Sequence, residues 1–95
     1  MAKELHGQDK ESDNPFRVVR EEITTEMDGD VTVTQKKGYD SRGRLVSDFT
    51  YRDYGKRGIG HAGQCVEADG FWHGGAYDPI IGQGCTFAPV KFEEQ

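Results

Sequence analysis

Residues 16–54 alternate between apolar and polar side chains in three stretches, which are separated by two short turns that contain glycine. Alternation with a period of two is typical of β-strands that bury one face and expose the other. The turns are expected at residues 28–30 and 41–43, where glycine supplies the backbone freedom that tight hairpins require. The pattern therefore predicts a three-stranded antiparallel meander over about residues 16–54.

The register of the first predicted hairpin depends on the length of its loop. A three-residue loop over residues 28–30 pairs Met27 with Val31 and keeps both apolar side chains on one face. A two-residue loop would instead set Val31 on the same face as Glu26. Because a slip of one residue transfers every side chain of a strand to the other face, the apolar pattern favours the three-residue loop.

The second hairpin turn contains Gly43 at the position where a type I turn followed by a left-handed residue needs glycine. This turn places Tyr39 opposite Leu45. The other face of the meander carries mainly charged residues and threonines, so one side is expected to form a core and the other to face water. The predicted apolar face consists of Val19, Ile23, Met27, Val31, Val33, Tyr39, Leu45, Phe49 and Tyr51.

The segment YDSRGRL, residues 39–45, resembles the core of the YD repeats of large bacterial toxin shells. The resemblance covers seven residues and occurs once, whereas that architecture is built from many copies. It implies a tight hairpin turn flanked by Asp40 and Arg44, and no function is carried over from it.

Residues 55–84 contain nine of the thirteen glycines, together with several large apolar residues. Such glycine density opposes regular helix and strand, while the apolar residues distinguish the segment from a flexible Gly/Ser linker. We expect a glycine-rich irregular half that packs as a lid on the apolar face of the meander. Residues 85–92 are predicted to form a C-terminal strand, which Pro89 would place at a sheet edge or a bulge.

The composition is that of a small acidic protein, with 95 residues, 34% of them hydrophobic and 31% charged, and a formal net charge of −5. This length allows one domain with a lean core, which we assign to residues 15–95, with a flexible polar tail over residues 1–14. The negative charge disfavours nucleic-acid and acidic membrane partners. No stretch approaches the roughly 18 apolar residues of a membrane span. Because the N-terminus also lacks the apolar segment of a secretory signal, a cytoplasmic location is expected.

One group of residues has the donor types of a zinc site. His61, Cys65, His73 and Cys85 lie within 25 positions, and two thiolates with two imidazoles suit tetrahedral zinc. Their spacing lacks the Cys-x2–4-Cys pair of most structural zinc sites. The two cysteines are otherwise expected to be buried free thiols or to form a disulfide.

Cysteine catalysis is a further interpretation of the same residues. His61 or His73 could serve as the base for Cys65, but no nucleophile motif surrounds that cysteine. A domain of this size also offers little room for a substrate cleft. We therefore do not expect an enzyme.

Phe71, Trp72, His73 and Tyr77 are the predicted partner-binding residues, because aromatic side chains dominate binding hot spots. The alternative is that Trp72 fills the core.

The sequence as a whole predicts a small non-enzymatic protein-binding module without a cofactor, an accessory subunit or an inhibitor-like protein whose partner is another protein. If the glycine-rich half does not cover the apolar face, a homodimer or a partner must do so. The alternatives are a zinc-stabilised structural domain and a small Cys-dependent enzyme.

Overall fold

Seven β-strands form a single antiparallel sheet in the computed structural model, which describes residues 14–93. Strands β1 to β6 lie side by side in chain order, and β7 pairs with the same strand as β6. The mainly β prediction is confirmed, but the sheet is larger than the predicted three-stranded meander. The strands are β1 Arg20–Asp28, β2 Val31–Tyr39, β3 Leu45–Asp53, β4 Ile59–Val66, β5 Phe71–Asp78, β6 Gln83–Thr86 and β7 Val90–Lys91.

The glycine-rich half extends the sheet, so the predicted irregular lid is wrong. Strands β4 and β5 continue the meander beyond β3. Their glycines leave room for large neighbours: the Phe49 ring of β3 lies over Gly63 of β4, where an added Cβ would come within 2.6 Å of Phe49 Cγ. Glycine in a strand marks such close approach of a neighbouring group. The glycines thus make space within a sheet that the aromatic residues fill from the next strand.

Aspartates at the starts of four turns help to set where the later strands begin. In each turn the Asp Oδ1 accepts a hydrogen bond from the backbone N–H two residues further on, which stabilises the turn locally. Glycines in these turns adopt a positive φ, for example 80° at Gly43. The four bonds run from Arg42 to Asp40, from Gly55 to Asp53, from Phe71 to Asp69 and from Ile80 to Asp78, at 2.8–2.9 Å.

The first hairpin has a two-residue loop, and the predicted three-residue loop is wrong. Asp28 pairs with Val31 across Gly29 and Asp30, and Gly29 has a φ of 65°, as the first central residue of a type II′ turn does. The turn geometry therefore overrides the apolar alternation. As a consequence, Val31 lies on the face opposite to Met27, and the apolar residues of the meander are divided between both faces of the sheet.

The second hairpin agrees with its predicted turn. Tyr39 pairs with Leu45, and Gly43 occupies the left-handed position. The register then shifts by one residue between Gly38 and Tyr39. This β-bulge moves the rest of β2 relative to β3, so that Thr34, and not Val33, lies opposite Tyr51.

Within residues 14–93 no second sheet or helix covers either face, since the strands make extensive contacts only with their neighbours in the sheet. The segment before β1 covers part of one end, where Val18 lies against Gly38 and Phe16 packs on Phe92. Val46 and Val66 are the buried apolar side chains of this part of the chain. A sheet normally buries an apolar face against another element. The larger apolar side chains instead remain half-buried or exposed, among them Ile23, Met27 and Ile59.

The C-terminal segment forms the second edge of the sheet as two short strands. Strands β6 and β7 both pair with β5, and residues 87–89 between them are not in a strand. Pro89 lies in this interruption, where its missing N–H costs no ladder hydrogen bond. The predicted tail, residues 1–14, falls outside the described residues except for Asn14. No helix within residues 14–93 is long and apolar enough to cross a membrane.

Candidate functional site: an aromatic sheet face

Four ring side chains lie together on one face of the sheet. Phe49 and Tyr51 of β3 stack with their centroids 6.3 Å apart and 18° between their planes. The Tyr51 ring is 6.4 Å from His61 of β4, and His61 is 6.3 Å from Tyr77 of β5. We call the surface that Phe49, Tyr51, His61 and Tyr77 define the aromatic face.

Strand register explains why these rings meet. Tyr51 lies directly opposite His61, and His61 lies directly opposite Tyr77. Directly opposed side chains of antiparallel strands are about 4.5–5.5 Å apart at Cβ, close enough for rings to touch. Thr34 and Thr25 continue the same row across β2 and β1. The row thus crosses five strands without an acidic side chain, a lysine or an arginine.

The aromatic face is accessible. His61 is exposed, Tyr77 retains 42% of its accessible surface and Ile59, at the end of β4, retains 56%. Lys36 lies opposite Phe49, and its Nζ is 3.9 Å from the Glu21 carboxylate near the β1 edge of the sheet. The centre of this face therefore offers rigid rings and hydroxyl groups, with charges only at its margin.

The four predicted partner-binding residues do not share one surface. They all belong to β5, and successive side chains of a strand point to opposite faces. Phe71, His73 and Tyr77 lie on the side of the aromatic face, whereas Trp72 lies on the other. The sequence reasoning grouped them as neighbours in the chain, and the strand separates them.

Trp72 takes part in a small cluster at one end of the sheet. Its ring is 6.1 Å from Phe92, which in turn makes an edge-to-face contact with Phe16 at 5.2 Å. The Arg44 guanidinium carbon lies 5.4 Å from the ring centroids of both Phe16 and Phe92. We call Phe16, Arg44, Trp72 and Phe92 the end cluster; it joins the two ends of the described chain.

Asp40 anchors Arg44 in the end cluster. The Asp40 side chain is only 1% exposed, and its Oδ2 accepts a hydrogen bond from Arg44 Nε at 2.8 Å and lies 2.8 Å from Arg44 Nη2 in an ion pair. Its Oδ1 accepts the backbone N–H groups of Arg42 and Arg44, both at 2.9 Å. Burial disfavours the charged form of Asp40, but these bonds and the charge of Arg44 outweigh it and lower the pKa of the carboxyl. The hairpin turn that the YD-like segment implied is thus held by a buried ion pair.

The four residues of the predicted zinc site are not brought together. Cys65 lies directly opposite His73, with His61 four residues before Cys65 on β4. Cys85 pairs with Ala76, which places it on the other face of the sheet. Within residues 14–93 no group of three or more His, Cys, Asp or Glu is arranged to hold a metal ion. Both cysteines are free thiols.

Cys65 lies opposite His73, and His73 contacts Asp69; a cysteine, a histidine and an aspartate are the residue types of a cysteine-nucleophile site. Asp69 Oδ2 is 2.8 Å from His73 Nε2, and its hydrogen bonds from the Phe71 N–H and from His73 lower the pKa of Asp69. However, burial, together with the nearby Glu67, raises the pKa of the Cys65 thiol. A nucleophilic cysteine needs the thiolate, so this environment works against catalysis at Cys65.

The two cysteines are expected to differ in their rate of alkylation. Cys85 is exposed, whereas Cys65 is partly buried and its raised pKa leaves less thiolate at neutral pH. With iodoacetamide at pH 7.5, we expect Cys85 to react at least about tenfold faster than Cys65. Peptide mass spectrometry over a time course measures both rates. A faster reaction at Cys65 would indicate an activated nucleophile and favour the enzyme interpretation.

Sequence reasoning missed His61 and Tyr51 as members of one binding surface. The sequence pattern predicts His61 as a metal ligand and Tyr51 as a core residue of the meander. Their contact depends on the pairing of β3 with β4, which the prediction of a lid excluded. The available signal was the alternation of residues 59–66, in which Ile59, His61 and Cys65 share one face.

Comparisons with known proteins provide no relative of this chain, since no family model, no curated protein and no solved structure matches it. Its function is therefore inferred from the chemistry of its own residues.

Proposed function

We propose that this chain is a small non-enzymatic protein-binding module, an accessory or inhibitor-like protein that docks a partner protein onto its aromatic face. The observation that carries the proposal is the row Tyr51, His61 and Tyr77, which lies on a sheet face without a second layer within residues 14–93. Contiguous exposed apolar surface on a soluble protein marks an interaction site. Tyrosine is also among the residues enriched at binding hot spots.

The rigidity of the aromatic face supports tight docking. Its rings come from three hydrogen-bonded strands. Tyr51, His61 and Tyr77 lie side by side across the sheet, and Phe49 stacks with Tyr51 within β3. Tyr and Phe have only two side-chain torsions, so ordering them on binding costs little conformational entropy. A surface that is already ordered retains more of its contact energy as affinity.

The uncharged centre of the aromatic face defines the chemistry of the partner. A matching surface presents apolar or aromatic side chains, together with groups that hydrogen-bond the Tyr51 and Tyr77 hydroxyls. The chain has a net charge of −5, but no aspartate, glutamate, lysine or arginine lies in the row that contains Tyr51, His61 and Tyr77. Because screening acts on charges, we expect the affinity of this contact to depend weakly on ionic strength.

The proposal is tested by photo-crosslinking of the full chain in its cells of origin. Benzoylphenylalanine replaces Tyr77 on the aromatic face or, as the control, Arg52, which is exposed on the opposite face. We expect one discrete crosslinked protein from position 77 and none from position 52. Identical products from both positions, or crosslinks only to a second copy of this chain, would overturn the proposal.

The crosslinked partner then allows a quantitative check with purified proteins. A hot-spot truncation costs 2 kcal/mol or more, so Tyr51→Ala should raise the dissociation constant by about 30-fold or more. Thr50→Ala is the matched control, because Thr50 adjoins Tyr51 in β3 and lies on the opposite face. Equal affinities of the two variants would show that the partner does not use the aromatic face.

A further inference from the structure

Strand β1 is a long free edge of the sheet. Within residues 14–93 it pairs only with β2, and all nine of its residues are exposed. It contains no proline, but five of its nine residues are charged, and charged side chains are one of the devices that protect sheet edges. Its free N–H and C=O groups remain a template for another strand, but that strand must fit the charged side chains of β1.

The turn after β1 determines which backbone groups are free. The two-residue loop makes Asp28 and Val31 a hydrogen-bonded pair, and such pairs alternate along an antiparallel ladder. The even-numbered residues of β1 therefore direct their N–H and C=O groups to β2. The odd-numbered residues Glu21, Ile23 and Thr25 direct theirs outward, where a further strand can bond to them.

Apolar side chains are spaced regularly along this edge. Val19, Ile23 and Met27 are 49%, 58% and 64% exposed. Ile23 and Met27 are four residues apart in β1, so both lie on the same face. Val19 precedes the strand at the position symmetrical to Met27 about Ile23, and its N–H donates to the Tyr39 carbonyl oxygen at 2.8 Å. A strand that pairs with a copy of itself about a two-fold axis requires such a symmetrical arrangement of side chains.

Among the two-fold registers centred on a residue of β1, only one avoids a like-charge pair directly across the interface. Centring the pairing on residue 20 or 28 sets an arginine or an aspartate against its own copy, and centring it on residue 27 sets Glu26 against Asp28. Centring the pairing on residue 21, 22 or 26 sets a glutamate against its own copy. Centring it on residue 24 sets Glu22 against Glu26, and centring it on residue 25 sets Glu22 against Asp28. Directly opposed like charges are destabilising. The register centred on Ile23 has none of these contacts.

The same register also places complementary side chains opposite one another. Ile23 meets its own copy, and the apolar residues at the two ends meet each other. Arg20 meets Glu26, a pair of opposite charge that occurs twice by symmetry. The remaining pairs combine glutamate with threonine. The complete set is Val19 with Met27, Arg20 with Glu26, Glu21 with Thr25, Glu22 with Thr24, and Ile23 with Ile23.

We infer that two copies of this chain associate through antiparallel pairing of β1 with β1 about a two-fold axis at Ile23, which joins their sheets edge to edge. The occupant of this edge is a second copy because β1 is complementary to itself about Ile23, both in its directly opposed side chains and in the free backbone groups of Glu21, Ile23 and Thr25. This inference goes beyond the docking of a partner on the aromatic face, since it uses the edge of the sheet and leaves that face free.

Sedimentation of the full chain over a range of concentrations tests the association. Wild type should show a monomer–dimer equilibrium, and Ile23→Lys should raise the dimer dissociation constant at least tenfold by opposing two lysines. Ile59→Lys is the matched control, because Ile59 is 56% exposed on the aromatic face but lies far from β1 in the strand order. We expect it to dimerise like wild type.

Disulfide trapping tests the register. Directly opposed residues of a hydrogen-bonded pair have Cα atoms about 5.5 Å apart, which suits a disulfide. In a Cys65→Ser/Cys85→Ser background, Ile23→Cys should form a covalent dimer under mild oxidation. Thr25→Cys should not, because in this register the two copies of residue 25 are roughly 14 Å apart along the strands.

Several outcomes would overturn the inference. A monomer at every concentration, loss of the dimer in Ile59→Lys but not in Ile23→Lys, or trapping through Thr25→Cys in preference to Ile23→Cys would each do so. The circular dichroism of each variant confirms that its fold is retained. Crosslinking from position 77 to a partner protein is independent of all these results, so the two proposals can fail separately.

Discussion

Replacing Asp40 with alanine is expected to lower the free energy of unfolding by about 3–5 kcal/mol, the range for removing one member of a buried ion pair. The substitution leaves Arg44, whose side chain is 17% exposed, without its carboxylate beside the rings of the end cluster. It also removes the acceptor for two backbone N–H groups of the turn. Urea unfolding of both proteins at pH 7 measures the change.

A matched control separates the buried ion pair from the turn itself. Asp53 begins a turn with the same type of hydrogen bond, to the Gly55 N–H at 2.8 Å, but it is exposed and makes no ion pair among the described residues. Asp53→Ala should cost about 1 kcal/mol or less. Comparable losses in the two variants would show that the Asp40–Arg44 pair contributes little. If Asp40→Ala does not fold, Asp40→Asn tests the charge alone.

Asp40 should also determine part of the loss of stability that the fold shows in acid. The pKa of Asp40 is lowered in the folded protein, so its contribution to stability is complete above the ordinary aspartate pKa of about 3.9. That contribution is lost as the pH falls below this value toward the folded pKa, because protonation then favours the unfolded chain. Between pH 5 and pH 3, wild type should therefore lose more stability than Asp40→Asn does.

Gly74→Ala is expected to destabilise the sheet by about 3 kcal/mol, the upper end of the usual cost of overpacking. A Cβ on Gly74 would come within 2.6 Å of Gln64 Cα and would also overlap the Gly63 carbonyl oxygen. Both groups belong to the neighbouring β4 backbone, which cannot move without separating β4 from β5. Thermal and urea unfolding monitored by circular dichroism test this expectation.

Gly84→Ala provides the control for an added methyl group. Its Cβ would lie 3.0 Å from the Ala76 carbonyl oxygen and 3.4 Å from Tyr77 Cδ1. Gly84 belongs to the edge strand β6, which can shift outward, so we expect a loss below about 1 kcal/mol. If Gly74→Ala is as stable as Gly84→Ala, the close approach of β4 and β5 at Gly74 is not required by the fold.

The positions of strands and turns in the first half were predictable because they depend on near neighbours in the chain. The three stretches of alternating residues correspond to β1, β2 and β3, and Gly43 occupies its predicted left-handed position. The register of β1 was not predictable from the apolar pattern, since the turn at Gly29 shifts it by one residue. A short-range conformational preference at one glycine thus decided where every side chain of β1 points.

The second half shows the limit of composition as a guide to structure. Nine glycines in residues 55–84 indicated irregular structure, yet Gly63 and Gly74 lie inside strands. Their role depends on neighbours far away in the chain, such as the Phe49 ring over Gly63. The candidate site shows the same limit. The sequence predicts an aromatic binding surface from Phe71, Trp72 and Tyr77, which are close together in the chain, whereas the rings of the aromatic face come from three strands.

The sequence by itself determined that this is a small β-rich protein whose apolar side chains require a packing partner. It could do so because alternation, turn residues and composition are local properties of the chain. Which residues meet was decided by the tertiary structure. Tyr51, His61 and Tyr77 form one surface only through the pairing of β3, β4 and β5, while Cys85 is separated from Cys65 by the same pairing. Cross-strand contacts of this kind depend on register, and register changes with a single residue in a turn.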